Sequence, residues 1–235
     1  MAVVVYISPM TKRISDRSGT GRHSGTAETG LALGRRAVLG GALAAGAALV
    51  VPGRAFASAS PLTPGQRRVL DVAKEQMDRA GEALWRRDIA GIADFGVHSS
   101  VPRFHFANVE QGTVRSFLVA HGTGSDPEHD GYLNEFSNTP GSNATSRGAY
   151  VTYEWYRGRY GTSIRLGGLD PDNSNALPRY IVAHPAEYAT RAHVDRWGRL
   201  GRSNGCFAMD PADFNEALWN LSGGRLLYAD RLGIS

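Results

Sequence analysis

The chain of 235 residues contains a single cysteine, Cys206, so no disulfide can form within it. Its fold must therefore be stabilised by a buried core rather than by cross-links. This constraint is informative because the N-terminal residues are typical of an export signal, and exported proteins usually carry their cysteines in bonded pairs. Cys206 is thus either an inert buried thiol or a free reactive one.

The N-terminal region has the three parts of a signal peptide. Arg35 and Arg36 precede an uncharged run at 37–53, rich in Ala and Gly, and Ala55-Phe56-Ala57 offers a small-x-small cleavage site. The adjacent arginines favour the twin-arginine route. The run is less apolar than a membrane-spanning helix, which needs about 20 strongly apolar residues, although an uncleaved anchor is an alternative. We expect an exported protein of the periplasm or cell envelope that meets the membrane only transiently.

Removal of residues 1–57 changes the charge balance. The whole chain has 26 basic and 22 acidic residues, a net charge of +4. Seven basic and two acidic residues lie in 1–57, which leaves 19 basic and 20 acidic residues and a net charge of −1. Nucleic-acid binding needs a basic face on the folded domain, so this balance gives no argument for it.

The remaining residues divide into a helical and a strand-rich part. Thr63, Pro64 and Gln66 predict a helix start, and apolar spacing extends the helix to about residue 87. A short helix is expected at 89–95. Strands are predicted at 103–109, 114–120, 150–156, 163–166, 179–184 and 226–228, and a helix at 210–221. The predicted divisions are a leader and signal peptide at 1–57, an N-terminal helical segment at 58–95 and a mainly β domain at 96–235.

The surroundings of Cys206 suit a reactive thiol. Gly205 allows a sharp turn and close approach of a substrate carbonyl, and Ser203 adds a hydroxyl. The helix predicted from Asp210 would bring a positive dipole end nearby. His184, at the end of a predicted strand, could take the thiol proton. The alternative is a Cys packed as a small apolar side chain, but the Gly-, Ser- and Asn-rich setting differs from the usual apolar pattern.

Five short motifs resemble a known family. They are Val119-Ala120-His121-Gly122-x-Gly124-Ser125, Phe136-Ser137-Asn138, Leu166-x-Gly168-Leu169, Ile181-Val182-x-His184 and Gly201-Arg202-Ser203-x-Gly205-Cys206-x-Ala208. Their order and spacing are similar to those of the murein L,D-transpeptidase catalytic domain (YkuD type), in the branch whose cysteine motif reads Ser-x-Gly-Cys-x-Ala. The resemblance covers about residues 98–230. Because every motif lies after residue 95, we expect 58–95 to be dispensable for chemistry.

The resemblance implies a compact, mainly β domain, a YkuD-like β-sandwich or barrel, with a short helix after the cysteine and an N-terminal helical segment before it. It implies peptidoglycan stem peptides as the substrate, Cys206 as the nucleophile, and His184, oriented by a backbone carbonyl, as its base. The thiolate would attack the carbonyl between a diamino acid's L-centre and the terminal D-alanine. An amine of a neighbouring stem would resolve the thioester into a 3→3 cross-link, whereas water would give L,D-carboxypeptidase activity. No cofactor is implied.

Other motif residues are expected to shape the site. Ser203 and Gly205 would complete the catalytic turn. Substrate contacts are expected from His121, Arg202, Asn204, Ser137 and Asn138. Arg202 would hold a substrate carboxylate, because Ala208 stands where the commoner family motif has an arginine.

Two further functions stay open. The substitutions around the cysteine motif permit a catalytically silent wall-binding module of the same fold. A zinc-dependent peptidase would draw its ligands from His121, Asp126 and His184. Their spacing matches no zinc peptidase motif, so no metal is expected.

Overall fold

The computed structural model describes residues 61–234. The predicted leader, its arginine pair and the cleavage site therefore lie outside the described residues. The elements, in chain order, are α1 (Pro64–Ala80), β1 (Ile89–Asp94), β2 (Phe104–Asn108), β3 (Thr113–Phe117), β4 (Gly148–Gly158), β5 (Gly161–Gly168), β6 (Val182–Pro185), α2 (Arg191–Trp197), β7 (Phe207–Met209), α3 (Pro211–Leu221) and β8 (Leu226–Asp230).

Within the described residues, eight strands form one sheet in the order β3-β2-β1-β8-β4-β5-β6-β7. The β1–β8 and β6–β7 pairs are parallel and the others antiparallel. Ala120, just after β3, is bridged to Ala208 of β7, and its N–H donates to the Ala208 carbonyl at 2.8 Å. This bridge joins the two edges, so the sheet is a nearly closed barrel. The mainly β fold predicted from the sequence is confirmed.

Two layers of apolar side chains stabilise the barrel without a cross-link. The inner layer contains aromatic residues such as Phe104, Tyr150 and Phe207, and α3 packs against it through Phe214. The outer layer lies between α1 and the sheet. Helix α1 begins as predicted: the Thr63 side chain accepts from the Gln66 N–H at 3.1 Å, and the Gln66 side chain accepts from the Thr63 N–H at 3.0 Å.

Residues 89–95 do not form the predicted helix, because Ile89–Asp94 is the interior strand β1. It pairs antiparallel with β2 and parallel with β8. Ile92 packs in the outer layer and Ala93 in the inner one, as the alternation of a strand requires. Residues 58–95 therefore contribute an interior strand to the sheet as well as α1, which argues against the expectation that they are dispensable for chemistry.

Other boundaries differ less. The helix predicted at 210–221 is confirmed as α3. The strand predicted from residue 179 begins only at Val182, because turns occupy the preceding residues. Helix α2 was not predicted. Among residues 61–234, no helix combines the length and the apolarity needed to cross a membrane.

Candidate active site

Neighbouring strands hold Cys206, which lines a cleft, and His184, which is buried next to a wall residue of that cleft. Strands β6 and β7 run parallel, with His184 opposite Ala208. Cys206 directly precedes β7, and its Sγ donates to the Tyr180 carbonyl at 3.7 Å, just before β6 begins. The Tyr160 ring stacks on the His184 ring at a centroid distance of 4.7 Å and lines the same cleft as Cys206. The pair singled out from the sequence is thus brought together by the parallel strands.

The His184 ring is held in one orientation. It is only 2 % exposed, and its Nδ1 lies 3.0 Å from the Pro185 carbonyl. A carbonyl can only accept, so Nδ1 carries the proton and Nε2 of the neutral ring is the free acceptor. Burial lowers the pKa of His184, and the Pro185 carbonyl partly opposes that effect. The ring is therefore neutral at pH 7 and able to accept a proton.

The turn before Cys206 is built by Ser203 and Gly205. The Ser203 hydroxyl donates to the Cys206 carbonyl at 2.7 Å and accepts from the Gly205 N–H at 3.2 Å. Gly205 has a φ of +106°, and a Cβ there would lie 2.7 Å from the Ala144 carbonyl oxygen. Only glycine fits this position without strain. Ser203 thus holds the turn through backbone contacts.

The thiol is mostly buried, with Cys206 6 % exposed. Burial raises the pKa of the Cys206 thiol, whereas the Val182 backbone amide and the Arg179 guanidinium lower it. The expected help from a helix dipole is not found, because β7 separates Cys206 from the first turn of α3 and the dipole effect fades within one turn. The resting thiol is protonated and depends on a base for ionisation.

The cleft next to the thiol has a volume of about 340 Å³. Its walls come from a loop at 140–143, the turn at 178–180, Tyr160 of the β4–β5 turn, and Asn204 beside Cys206. Tyr180 stands at the rim, 83 % exposed, with a φ of +56°. A non-glycine residue in this conformation is strained and is held there by its surroundings.

Among the cleft residues that were not identified from the sequence, three have aromatic or charged side chains: Tyr160, Arg179 and Tyr180. The available signal for Arg179 was its place directly before an apolar strand that ends at a candidate base. The aromatic residues gave no signal, because Tyr160 lies in a turn and Tyr180 in a segment predicted to be a strand.

The structure does not place His121 in the cleft. It is 1 % exposed, its Nδ1 accepts from Arg103 Nη2 at 2.7 Å, and its Nε2–H donates to Asp126 Oδ2 at 3.1 Å. Burial, with the Arg103 charge, lowers the pKa of His121 to about 3. His121 is therefore a neutral, buried link between two charges, and this burial argues against the expected substrate contact, which stays a prediction.

The neighbouring glycine explains why this motif lies beside the cysteine turn. Residues 121–123 pair with Ser203: the Ser203 N–H donates to the His121 carbonyl at 2.8 Å, and the Thr123 N–H donates to the Ser203 carbonyl at 2.8 Å. A Cβ on Gly122 would lie 2.7 Å from the Gly205 nitrogen. The His-Gly motif is thus required for close backbone packing against the cysteine turn.

The other predicted substrate contacts have mixed outcomes. Arg202 donates to the backbone carbonyls of Asp126 and Pro127, so its guanidinium holds a loop. Asn138 donates to the Pro171 carbonyl at 2.8 Å and to the Ser174 hydroxyl at 3.0 Å. Ser137 accepts from Arg179 through its carbonyl. Of the five residues, Asn204 alone lines the cleft.

His121, Asp126 and His184 do not form a metal site. His121 and Asp126 contact each other directly, whereas His184 lies beside Tyr160. Within residues 61–234, no group of three His, Cys, Asp or Glu side chains could hold a metal ion. The ligand set that a zinc peptidase would need is therefore not assembled in the described part of the chain.

Comparisons with solved structures return weak likenesses. The L,D-transpeptidase from Mycobacterium smegmatis is 14% identical, with 61% of this chain and 58% of that chain covered and a TM-score of 0.37. L,D-transpeptidase 1 of Mycobacterium tuberculosis is 13% identical, with 61% of each chain covered and a TM-score of 0.34. The helical cell shape determining protein Pgp2 from Campylobacter jejuni is 12% identical, with 67% and 55% covered and a TM-score of 0.38. The chain thus spans less than two thirds of the length of these structures.

No curated protein matches the sequence. The family model for the L,D-transpeptidase catalytic domain, however, matches residues 65–229, which contain β1 through nearly all of β8 as well as Cys206 and His184. The match covers well over half of the chain and confirms the resemblance found in its motifs. The chain belongs to the L,D-transpeptidase catalytic domain family.

Proposed function

We propose that this chain is a cysteine acyltransferase, an L,D-transpeptidase that acts on peptidoglycan stem peptides. The observation that carries the proposal is the pairing of a thiol at a cleft with a buried, neutral imidazole on the adjacent strand. Activation of a nucleophile requires a base held in one orientation, and the Pro185 carbonyl holds His184 with Nε2 free.

The reaction begins with transfer of the Cys206 proton to Nε2 of His184. The thiolate attacks the carbonyl carbon of the bond between the diamino acid's L-centre and the terminal D-alanine. As the tetrahedral intermediate collapses, the imidazolium gives its proton to the departing D-alanine amine, and a thioester remains on Cys206. An acceptor amine then loses a proton to His184 and attacks the thioester, which forms the new amide and releases the thiol.

The acceptor decides the product. A stem-peptide amine gives a 3→3 cross-link, whereas water gives a shortened stem and L,D-carboxypeptidase activity. Both products share the first half-reaction, so acylation of Cys206 tests the common step. A silent wall-binding module needs neither the free thiol nor the oriented imidazole. The thiol lines the cleft and the imidazole lies on the neighbouring strand, and this arrangement supports catalysis.

The test uses tetrapeptide muropeptides as substrate, with the wild-type protein and Cys206→Ala. Cross-linked or shortened products are separated and identified by mass spectrometry, with a thiol alkylator or a chelator added in parallel. We expect product that the alkylator and Cys206→Ala abolish and that the chelator leaves unchanged. Product that survives in Cys206→Ala, or product lost with the chelator, would overturn the assignment. Binding without product would support the wall-binding module.

We also propose that the protein is exported by the twin-arginine route. The pattern of Arg35 and Arg36, the uncharged run and the small-residue site at 55–57 supports this. Fractionation of cells that carry the full chain, compared with a variant in which both arginines are lysine, tests it. Equal export of the two chains would contradict the proposed route.

A further inference from the structure

Arg179 binds the loop that forms one wall of the cleft. Its Nη1 donates to the Ser137 carbonyl at 2.8 Å and the Ser146 hydroxyl at 2.6 Å. Its Nη2 donates to the Ser142 hydroxyl at 3.2 Å and the Ala144 carbonyl at 2.5 Å. All four terminal N–H groups are therefore used, and they fasten residues 137–146 from both ends. A planar guanidinium suits this geometry better than an ammonium group.

The charge of Arg179 is not neutralised by these contacts, because all four acceptors are carbonyl or hydroxyl oxygens. Among the described residues that line the cleft, Arg179 is the only charged one, and Cys206 lines it too. A positive charge without a carboxylate partner in a half-buried cleft stabilises a nearby anion. In this cleft, the group that becomes an anion is the Cys206 thiol.

We propose that Arg179 is a positioning residue of this site, which fixes the 137–146 loop as the cleft wall and supplies a permanent positive charge that stabilises the Cys206 thiolate. The role of Arg179 in catalysis rests on the proposed function, whereas its effect on the ionisation of Cys206 does not.

Other groups near the thiol do not provide this charge. His184 on β6 is kept neutral by burial, which lowers its pKa. Tyr188, between β6 and α2, has its pKa raised by burial and by the Cys206 thiolate, so it stays uncharged. Tyr160 and Tyr180 are the remaining titratable groups in the cleft wall. The Arg179 charge lowers the pKa of Cys206 against the larger, opposite effect of burial.

The experiment measures alkylation of Cys206 by iodoacetamide from pH 5 to 10, with intact-protein mass spectrometry as the readout. The full chain is compared with Arg179→Gln, which removes the charge, and Arg179→Lys, which keeps the charge and loses the planar contacts. Arg165→Gln is the matched control, because Arg165 lies in an adjacent groove, over the Tyr156 ring and near Glu154, and does not line the cleft.

We expect Arg179→Gln to slow alkylation at pH 7 about tenfold and to shift the profile about one pH unit upward, since one pKa unit is a tenfold change in thiolate fraction. Arg179→Lys and Arg165→Gln should stay within about twofold of wild type. A folded Arg179→Gln with the wild-type profile would overturn the proposal. If Arg179→Gln does not fold, a tenfold loss in folded Arg179→Lys would overturn it instead.

This readout is independent of the transpeptidase reaction. A shifted alkylation profile together with unreactive muropeptides would contradict the proposed function and leave the role of Arg179 intact. Muropeptide turnover with an unshifted profile would contradict the role of Arg179 alone.

Discussion

Replacement of Gly205 by alanine tests how tightly the cysteine turn is packed. The added Cβ would lie 2.7 Å from the Ala144 carbonyl oxygen and 2.9 Å from Ile181 Cδ1. The Ile181 side chain can move, but the Ala144 carbonyl is backbone and accepts from Arg179 Nη2. The methyl group must therefore displace either the cysteine turn or the loop that Arg179 holds.

The magnitude follows from two costs. A non-glycine residue at a φ of +106° costs about 1–3 kcal/mol. Overpacking against fixed backbone adds about 1–3 kcal/mol. We expect Gly205→Ala to lower the free energy of unfolding by about 2–6 kcal/mol. At about 2–4 °C per kcal/mol for a domain of this size, the melting temperature should fall by about 4–24 °C.

Gly112→Ala is the matched control. Gly112 also has a positive φ, +64°, but a Cβ there would meet nothing within 4 Å, so only the backbone cost of about 1–2 kcal/mol applies. Denaturant unfolding followed by circular dichroism gives both values. If Gly205→Ala is no more destabilising than Gly112→Ala, the cysteine turn is not packed as described.

Three further predictions concern the base, a buried histidine and the first strand. His184→Ala should slow formation of a Cys206 acyl adduct by about 10²–10⁴-fold, measured by intact-protein mass spectrometry. Because the pKa of His184 is lowered, the wild-type acylation rate should stay constant to below pH 6.5. An unchanged rate in His184→Ala would show that His184 is not the base. His121 binds a proton below about pH 6.5 in the unfolded chain but only near pH 3 in the folded one. The free energy of unfolding should therefore decrease as the pH is lowered from about 6.5 to 3, by up to about 1.4 kcal/mol per pH unit. This pH dependence of the free energy of unfolding should be absent in His121→Gln. Urea titrations at several pH values that give the same dependence for the wild type and the variant would contradict the prediction. A chain that begins at Gly96 lacks β1 and α1 and should be insoluble or unfolded by circular dichroism; a soluble, folded product would show that β8 pairs without β1.

Local chemistry made much of the fold predictable. The capping box of α1, the α3 boundaries and most strands follow from spacing and turn residues, which act within a few positions. Residues 89–95 were assigned wrongly because a short run of Ala, Gly and Ile fits either a helix or a strand. Its pairing with β8, far later in the chain, decides the outcome, and no local pattern records that pairing.

The site was predictable to a similar degree. Cys206 lies directly before β7 and His184 lies on β6, and these two parallel strands bring the residues near each other, as their motifs indicated. Whether a motif residue faces the cleft depends on long-range packing. His121 and Arg202 are used inside the domain, by Asp126 and the backbone of its loop, whereas Arg179 was overlooked in a segment predicted to be a strand.

The position of β8 has a consequence for how this molecule is made. Strand β8, the last strand within residues 61–234, lies between β1 and β4, so it joins β1–β3 to β4–β7. While the chain is being synthesised, β1–β3 cannot join β4–β7 until β8 has left the ribosome. Pairing between such distant segments is slow, typically milliseconds to seconds. We expect the barrel to close only after β8 has been synthesised and has left the ribosome.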